Sequence, residues 1–208
     1  MKTLAILGAT GRTGRHVVTQ ALAAGHTVRA LARIPSQLPA RERLTVLGGD
    51  ARMGEDVAAL VAGADAVVSA LGPVPGIPDV CSQATRHVLS ALARRPGVRY
   101  VTVSGAGLDV PGDDKDLPGR VISWLIRTVS PAIVADKALE YRLLAEGTTP
   151  FVLVRPPRLT DKPATGRWQQ RLERSPGTAI TRADLATACL HFALAADVPL
   201  RRAPFVSG

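Results

Sequence analysis

Short apolar segments alternate along the chain with longer segments in which apolar residues recur at helical spacing. The apolar segments are nearly continuous rather than alternating, which is typical of strands covered on both faces of a sheet. Six such strands are predicted, at residues 3–7, 27–32, 43–48, 66–70, 99–104 and 151–154. Helices are predicted at residues 11–24, 53–62, 80–94, 135–145 and 182–194, and a short last strand at 205–206.

Strand and helix alternate at a spacing that predicts parallel βαβ units, and hence an α/β doubly wound parallel sheet of the Rossmann type. Two segments, 109–119 and 159–178, are rich in Gly, Pro and charged residues and interrupt the alternation. Both follow strand ends on the side where such sheets bind ligands. We interpret them as a small substrate-side region, or alternatively as plain connectors.

Composition narrows the class of protein. The chain has 208 residues, 46% of them hydrophobic, which fits one globular domain over residues 1–208. No apolar run approaches the length of a membrane span, and Met1 and Lys2 lead directly into a strand, so no signal peptide is expected. Cys81 and Cys189 lack metal-site spacing, and we expect reduced core thiols in a cytoplasmic protein, with no metal.

The net charge of +9 raises the question of a nucleic-acid partner. The arginines are scattered, however, and aromatic residues make up only 3% of the chain, so no basic stripe with stacking side chains is present in the sequence. We therefore predict a small-molecule ligand rather than a nucleic acid. A positive field also attracts anionic ligands such as a phosphorylated cofactor.

The first strand runs into the sequence GATGRTG, which is followed by a predicted helix. Glycine allows a tight turn and a close approach of the backbone to a diphosphate, and the helix directs free N–H groups at that anion. The hydroxyl groups and the guanidinium of this segment are further candidate phosphate ligands. The predicted cofactor-binding residues are Gly8, Thr10, Gly11, Arg12, Thr13 and Gly14.

The end of the second strand indicates which dinucleotide is bound. Chains that prefer NAD place an acidic residue near this point to bind the ribose 2′-hydroxyl. No acidic residue occurs between positions 26 and 41, and Arg33 stands 19 residues after Gly14. Because a guanidinium attracts a 2′-phosphate, the sequence favours NADP, although Arg33 also fits a solvated charge at a strand end.

Two further strand ends contribute candidate cofactor contacts. Asp50 follows the third strand and is predicted to accept a hydrogen bond from the adenine amino group, with Ala51 beside the ring. Its alternative role is to cap the following turn. Leu71 and Gly72 follow the fourth strand and form a surface on which the ribose and nicotinamide are expected to lie.

The last two strands supply candidate substrate contacts. Ser104 ends the fifth strand and is predicted to donate to a substrate carbonyl or to the nicotinamide carboxamide, unless its hydroxyl is bonded to backbone. Pro156 is expected to pack against the nicotinamide as one wall of its site, and Arg158 is expected to contact an acidic substrate. The double proline also fits a simple end to the strand.

No acid–base dyad is found. The Tyr-x-x-x-Lys pattern of common short-chain dehydrogenases is absent, because Ile133 stands four residues before Lys137 and Tyr141 follows it. Lys137 and Glu140 are predicted to form a surface ion pair. Without such a proton donor, hydride transfer would depend on how the cofactor and the acceptor are positioned. This suits a flavin or a tetrapyrrole better than an unactivated ketone.

These motifs together resemble the atypical short-chain dehydrogenases with NAD(P)-binding folds, and within them the biliverdin-IXβ reductase and flavin reductase branch. The resemblance covers nearly the whole chain and rests on GATGRTG, Arg33, GGDA at 48–51, Ser104, RPPRLTDKP at 155–163 and ITRADLA at 180–186. It implies NADPH binding and an open, poorly selective substrate site near Ser104. Relatives of this size are often monomers, so we expect a monomer or a weak homo-oligomer.

One residue departs from the branch that the chain resembles. That branch tends to have a histidine after its two prolines, where this chain has Arg158. The departure puts tetrapyrrole reduction in doubt and leaves flavin or quinone reduction open. The expected function is NADPH-dependent reduction of a flavin, a quinone or another conjugated small molecule. The alternative is a non-catalytic protein that senses NADP, while an epimerase would need an acid–base pair that the sequence lacks.

Overall fold

The computed structural model describes residues 1–74, 76–115, 117, 121, 124 and 128–208. Its centre is a parallel sheet of six strands in the order β3-β2-β1-β4-β5-β6. The strands are β1 (Thr3–Leu7), β2 (Thr27–Ala32), β3 (Leu44–Gly48), β4 (Ala66–Ser69), β5 (Arg99–Val103) and β6 (Phe151–Val154). Starting from β1, the chain adds β2 and β3 on one side and then crosses over to add β4, β5 and β6 on the other. Doubly wound sheets bind ligands at this change of side, between β1 and β4.

Helices whose bounds lie in the described part of the chain cover the two faces of this sheet. They are α1 (Arg12–Ala23), α2 (Gly54–Val61), α3 (Val80–Leu92), α4 (Pro131–Glu146) and α5 (Arg182–Leu194), and a 3-10 turn lies at Pro35–Gln37. In β1, Leu4 and Ile6 pack in the core cluster that contains α1 and α5, while Ala5 and Leu7 pack in the one that contains α2, α3 and α4. The predicted Rossmann fold is confirmed, and the burial of both strand faces explains the continuous apolar runs.

Two small sheets were not predicted from the sequence. β7 (Arg158–Thr160) pairs in parallel with β9 (Ala179–Thr181), and β8 (Gln169–Arg171) pairs antiparallel with β10 (Phe205–Ser207). β7, β8 and β9 have three residues each, and every residue of β8 is exposed, so they carry no hydrophobic period that sequence reasoning detects. The predicted strand at 205–206 is confirmed as β10.

Most predicted boundaries agree with the structure to within two residues. The exception is α4, which begins at Pro131 rather than at residue 135, with the proline in the first turn where its missing N–H costs nothing. Residues 116, 118 and 119 of the predicted loop at 109–119 lie outside the described part of the chain.

Both cysteines are buried free thiols, as expected. Burial raises the pKa of Cys81 to about 11 and that of Cys189 to about 12. In the described ranges, none of the helices combines the length and the apolar character that crossing a bilayer requires.

Candidate dinucleotide-binding site

The turn between β1 and α1 has no room for side chains at two of its glycines. Gly8 has a φ of +71°, and a Cβ there would lie 2.8 Å from the carbonyl carbon of Ala70. A Cβ on Gly14 would lie 2.0 Å from the carbonyl oxygen of Gly8. The turn is closed by a hydrogen bond from Gly11 N to Gly8 O at 3.0 Å. The predicted glycine requirement therefore has a steric cause at Gly8 and Gly14.

The first turn of α1 leaves backbone N–H groups free. Gly11 is the N-cap residue and supplies no side-chain cap, and the first turn contains no acidic residue. Such an end is suited to an anion. Thr10 lines the adjoining cleft, whereas Thr13 is buried, so the two threonines predicted as phosphate ligands differ in access.

Arg12 already has a carboxylate partner in the structure. Its Nη1 lies 3.4 Å from Oδ2 of Asp161, and Arg182 donates to Oδ1 of the same residue at 2.7 Å. Arg12 and Asp161 are both largely exposed. The predicted phosphate contact of Arg12 stays a prediction, and it would compete with Asp161.

A cleft of about 520 Å³, including its solvent-open part, runs from the glycine turn along the ends of β1–β4. It collects six of the predicted cofactor residues, namely Gly8, Thr10, Arg33, Asp50, Ala51 and Leu71. Sequence reasoning missed the other lining residues, which are Leu7, Leu31, Ala32, Gly49, Arg52, Val74, Ile77 and Val80. Eight predicted site residues are not among those that line this cleft, namely Gly11, Arg12, Thr13, Gly14, Gly72, Ser104, Pro156 and Arg158.

One part of the cleft is apolar. Val74 and Ile77 form a bridge in the turn after β4, and Val80 begins α3 beside them. Together with Ala51 and Leu71 they offer aliphatic surface of the kind that packs against a flat aromatic ring. The sequence feature that could have predicted this aliphatic wall is the pair of apolar residues at positions 74 and 77 within a proline-rich turn.

The other part of the cleft is charged. Arg33 is exposed at the end of β2, and Asp50 forms a two-point ion pair with Arg52. The hydrogen bond from the Arg52 side chain is the main cause that holds the pKa of Asp50 below its ordinary value, and the charge of Arg33 contributes. Oδ1 of Asp50 also accepts from the Arg52 backbone N–H at 2.9 Å, so the turn-capping role considered for Asp50 is present.

Ser104 follows β5 and has an unusual hydroxyl. Its backbone N–H continues the sheet by donating to Val154 O at 2.8 Å. Its Oγ, in contrast, is buried and is the one such side-chain atom in the described residues without a hydrogen-bond partner. The alternative in which this hydroxyl bonds to backbone is therefore wrong. A buried hydroxyl without a partner costs free energy, which a ligand contact would recover.

The two prolines lead out of β6. Pro156 is buried, and its carbonyl accepts from Ala106 N at 2.9 Å, so the β5–β6 pairing extends beyond both strands. Arg158 is exposed and begins β7. The prolines thus follow the end of β6, which fits their role as a strand end, and the chain then continues into a second small sheet.

Lys137 and Glu140 are buried, so their predicted surface location is wrong. Nζ of Lys137 donates to Glu140 Oε2 and to Val103 O, each at 2.9 Å. Oε1 of Glu140 accepts from Thr102 Oγ1 at 2.7 Å and from Thr85 Oγ1 at 3.1 Å. Burial is the largest single influence and would lower the pKa of Lys137, but the Glu140 carboxylate and, to a smaller extent, Cys81 together raise that pKa above its ordinary value. Polar partners on β5 and α3 explain why charged residues face inward.

Arg155 is another buried charge that sequence reasoning did not single out. It is 0% exposed and pairs with Asp113 through contacts of 2.7 and 2.8 Å. Its Nε donates to Ala203 O, and its guanidinium lies 3.7 Å from the centre of the Phe205 ring. Arg155 thereby holds the segment after β5 against β10 and the end of β6.

Known proteins resemble this chain either in sequence over part of its length or in fold over the whole of it. A 3-beta-hydroxysteroid dehydrogenase of Mycolicibacterium neoaurum is 47% identical over 62 residues, which is 30% of this chain and 17% of that protein. The chain spans less than half the length of the curated relatives that it matches, such as this one.

Solved structures match over the whole chain at lower identity. A short-chain dehydrogenase/reductase of Veillonella parvula in complex with NADP has a TM-score of 0.83 at 18% identity and covers 100% of this chain and 94% of its own. A candidate NADH-flavin reductase of Streptococcus pneumoniae has a TM-score of 0.79 at 20% identity, covering 100% and 99%. An anaerobilin reductase of Escherichia coli O157:H7 has 0.80 at 22%, covering 99% and 96%. At these identities the likeness concerns the fold.

A family model described as NAD(P)H-binding matches residues 8–195, which begin at the first glycine of the turn and include all the strands of the large sheet after β1. The matched range also contains every residue that lines the cleft except Leu7. The chain therefore belongs to the NAD(P)H-binding family that this model describes.

Proposed function

We propose that the protein is an NADPH-dependent oxidoreductase that reduces a flavin, a quinone or another conjugated small molecule. The observation that carries the proposal is the cleft, which joins a glycine turn without space for side chains to a charged end containing Arg33. The proposal for NADP over NAD rests on Arg33 and on the absence of acidic residues in positions 26–41.

The residues present fit a dinucleotide. Gly8 and Gly14 form a cradle that a Cβ would fill, and the uncapped start of α1 offers N–H donors beside it. The aliphatic wall formed by Val74, Ile77 and Val80 suits an adenine ring. Bound NADPH would supply a hydride, and the chain's own residues hold and orient the partners of that transfer.

Ser104 supports the choice of acceptor. Its Oγ follows β5, is buried and has no partner, so it would gain a hydrogen bond by donating to a ligand carbonyl. No Tyr–Lys dyad stands behind it, because position 133 is Ile and the Lys137 ammonium is bonded to Val103 O and Glu140. An acceptor that needs no strong acid, such as a flavin or quinone, fits this arrangement. The reductases among the structural neighbours are consistent with it.

The test is turnover of NADPH with FMN and separately with menadione, followed by loss of the nicotinamide absorbance. We expect rates well above the background of the same mixture without protein, and higher rates with NADPH than with NADH. An acceptor panel of flavins, quinones and a linear tetrapyrrole then defines the class. Rates equal to background with every acceptor would overturn the enzymatic proposal.

A second candidate function is a non-catalytic NADP sensor. It is favoured by Ile133 at the tyrosine position and by the full engagement of Lys137 in internal hydrogen bonds. Tight NADP binding without turnover on the panel would support the sensor. In either case we propose a small-molecule ligand, no nucleic-acid partner, and a monomer or weak homo-oligomer.

A further inference from the structure

Arg52 is fixed in the charged part of the cleft by several contacts. Its Nη2 donates to Asp50 Oδ2 at 2.7 Å, and its Nε lies 3.1 Å from Oδ1. Its backbone N–H donates to Asp50 Oδ1, and its carbonyl lies 3.0 Å from Nε2 of His87. The Arg52 guanidinium is therefore held in one orientation although 41% of the side chain is exposed.

Stability does not explain this arrangement. Exposed ion pairs contribute about 0–1 kcal/mol, because water screens the charges and both side chains lose freedom. Arg52 and Asp50 nevertheless line the cleft together with Arg33, whose charge makes a minor contribution to the lowered pKa of Asp50. The three charged side chains therefore contribute to the electrostatic potential of the same part of the cleft.

The charges of this region favour a doubly charged anion. A free Asp50 carboxylate beside Arg33 would repel a phosphate and would cancel the charge of Arg33. The pairing with Arg52 neutralises that carboxylate, so two guanidinium groups and one carboxylate leave one net positive charge. Arg52 uses Nη2 and Nε on Asp50, and a guanidinium has further N–H donors at Nη1.

We propose that Arg52 is the second cation of a 2′-phosphate subsite, shared with Arg33 and oriented by Asp50, and that it determines the preference for NADP over NAD. This inference rests on the proposed use of NADPH. It assigns to Asp50 the role of a positioning residue for Arg52, in addition to its predicted contact with adenine.

Calorimetric titration with NADP⁺ and with NAD⁺ tests the proposal without relying on activity. The variants are Arg52→Gln, Asp50→Asn and the double variant, and the matched control is Arg142→Gln, which removes one exposed charge from α4 outside the cleft. We expect Arg52→Gln to lose about tenfold or more in NADP⁺ affinity, because it removes a charge-assisted hydrogen bond to the phosphate, and to leave NAD⁺ affinity nearly unchanged. The control should keep the wild-type ratio of the two affinities.

The double variant separates a direct contact from simple charge neutralisation. If Arg52 touches the phosphate, Asp50→Asn/Arg52→Gln also loses the NADP⁺ preference. If the double variant regains the wild-type ratio, or if Arg52→Gln never loses it, the proposal is overturned. A wild-type protein that binds both nucleotides equally overturns the inference together with the cofactor choice, whereas NADP⁺ preference without turnover refutes only the oxidoreductase function.

Discussion

The ammonium of Lys137 lies 2.9 Å from Oε2 of Glu140 on α4, and the two residues are only 8% and 1% exposed. The pair is linked through Thr102 and Val103 to β5, the strand that Ser104 follows. A buried ion pair seldom stabilises a fold more than apolar residues of similar size would. Its presence beneath β5 therefore indicates a role in fixing the end of that strand.

Removing one partner of this pair should be far more harmful than removing both. Lys137→Met leaves an uncompensated Glu140 carboxylate and should lower the free energy of unfolding by about 3–5 kcal/mol. Lys137→Met/Glu140→Leu removes both charges and should lower it by less than Lys137→Met alone. Urea unfolding of the single and double variants measures both effects. Losses that simply add would show that the two side chains are not coupled in the folded protein.

The glycine turn should not tolerate a methyl group at position 14. A Cβ there would lie 2.0 Å from the carbonyl oxygen of Gly8, so Gly14→Ala must displace the backbone that forms the cradle. We expect a loss of stability of about 1–3 kcal/mol and loss of detectable NADP⁺ binding. Gly105→Ala is the matched control, since a Cβ at Gly105 meets nothing within 4 Å. Calorimetry showing normal NADP⁺ binding to Gly14→Ala would contradict the assignment of the turn.

The large sheet and the glycine turn could be predicted from the sequence because their physical signals are local. Continuous apolar runs such as residues 66–68 indicate that a strand is buried on both faces of the sheet, and glycines at fixed spacing indicate a tight turn. Arg33 was selected by the same kind of local reasoning, from its distance to Gly14 and the lack of acidic neighbours, and it lines the cleft, while its contact with a 2′-phosphate stays a prediction.

The features that sequence reasoning missed depend on contacts between distant segments. Glu140 faces inward because Thr85 and Thr102, 55 and 38 residues away, supply hydrogen bonds there. Arg155 is buried because Asp113, 42 residues away, pairs with it. Sequence reasoning assigns a charged side chain to the surface by default. A hydrogen-bond or ion-pair partner that is distant in the sequence leaves no local pattern that would change this assignment.

Ser104 should be more important for activity than for stability. Its Oγ is buried without a partner in the described structure, so Ser104→Ala removes an unsatisfied group and should leave the free energy of unfolding unchanged within about 1 kcal/mol. If the hydroxyl contacts the acceptor or the carboxamide, NADPH turnover should fall by about tenfold or more, the effect of about 1.4 kcal/mol. Steady-state kinetics and urea unfolding on the same samples measure the two effects. Destabilisation without loss of turnover would assign Ser104 a structural role.

Arg33 should discriminate between the two pyridine nucleotides. Because its guanidinium is predicted to bind the 2′-phosphate, Arg33→Ala should weaken NADPH binding by about tenfold or more and leave NADH binding nearly unchanged. Titration of each nucleotide into the variant gives the two dissociation constants, and Arg142→Gln again serves as the control for a change of net charge. Equal weakening of both nucleotides would show that Arg33 does not distinguish them.

Asp184 should make part of the stability dependent on acid pH. Its carboxylate is 1% exposed and accepts from Thr165 N, Gly166 N and Thr181 Oγ1 at 2.8–3.0 Å. Burial alone would raise the pKa of Asp184, but these hydrogen bonds outweigh it and lower the pKa below its ordinary value of 3.8. The folded protein therefore binds this proton less readily than the unfolded chain does.

The stabilisation from Asp184 should accordingly be complete above pH 3.8 and should be lost as the pH falls through the lower pKa of the folded state. Asp184→Asn keeps the shape but removes the charge, so at pH 7 it should be less stable by about 1.5–3 kcal/mol. Urea unfolding of both proteins between pH 7 and strongly acid pH measures the difference, which should shrink as Asp184 becomes protonated. A difference that stays constant over this range would mean that the charge of Asp184 does not stabilise the fold.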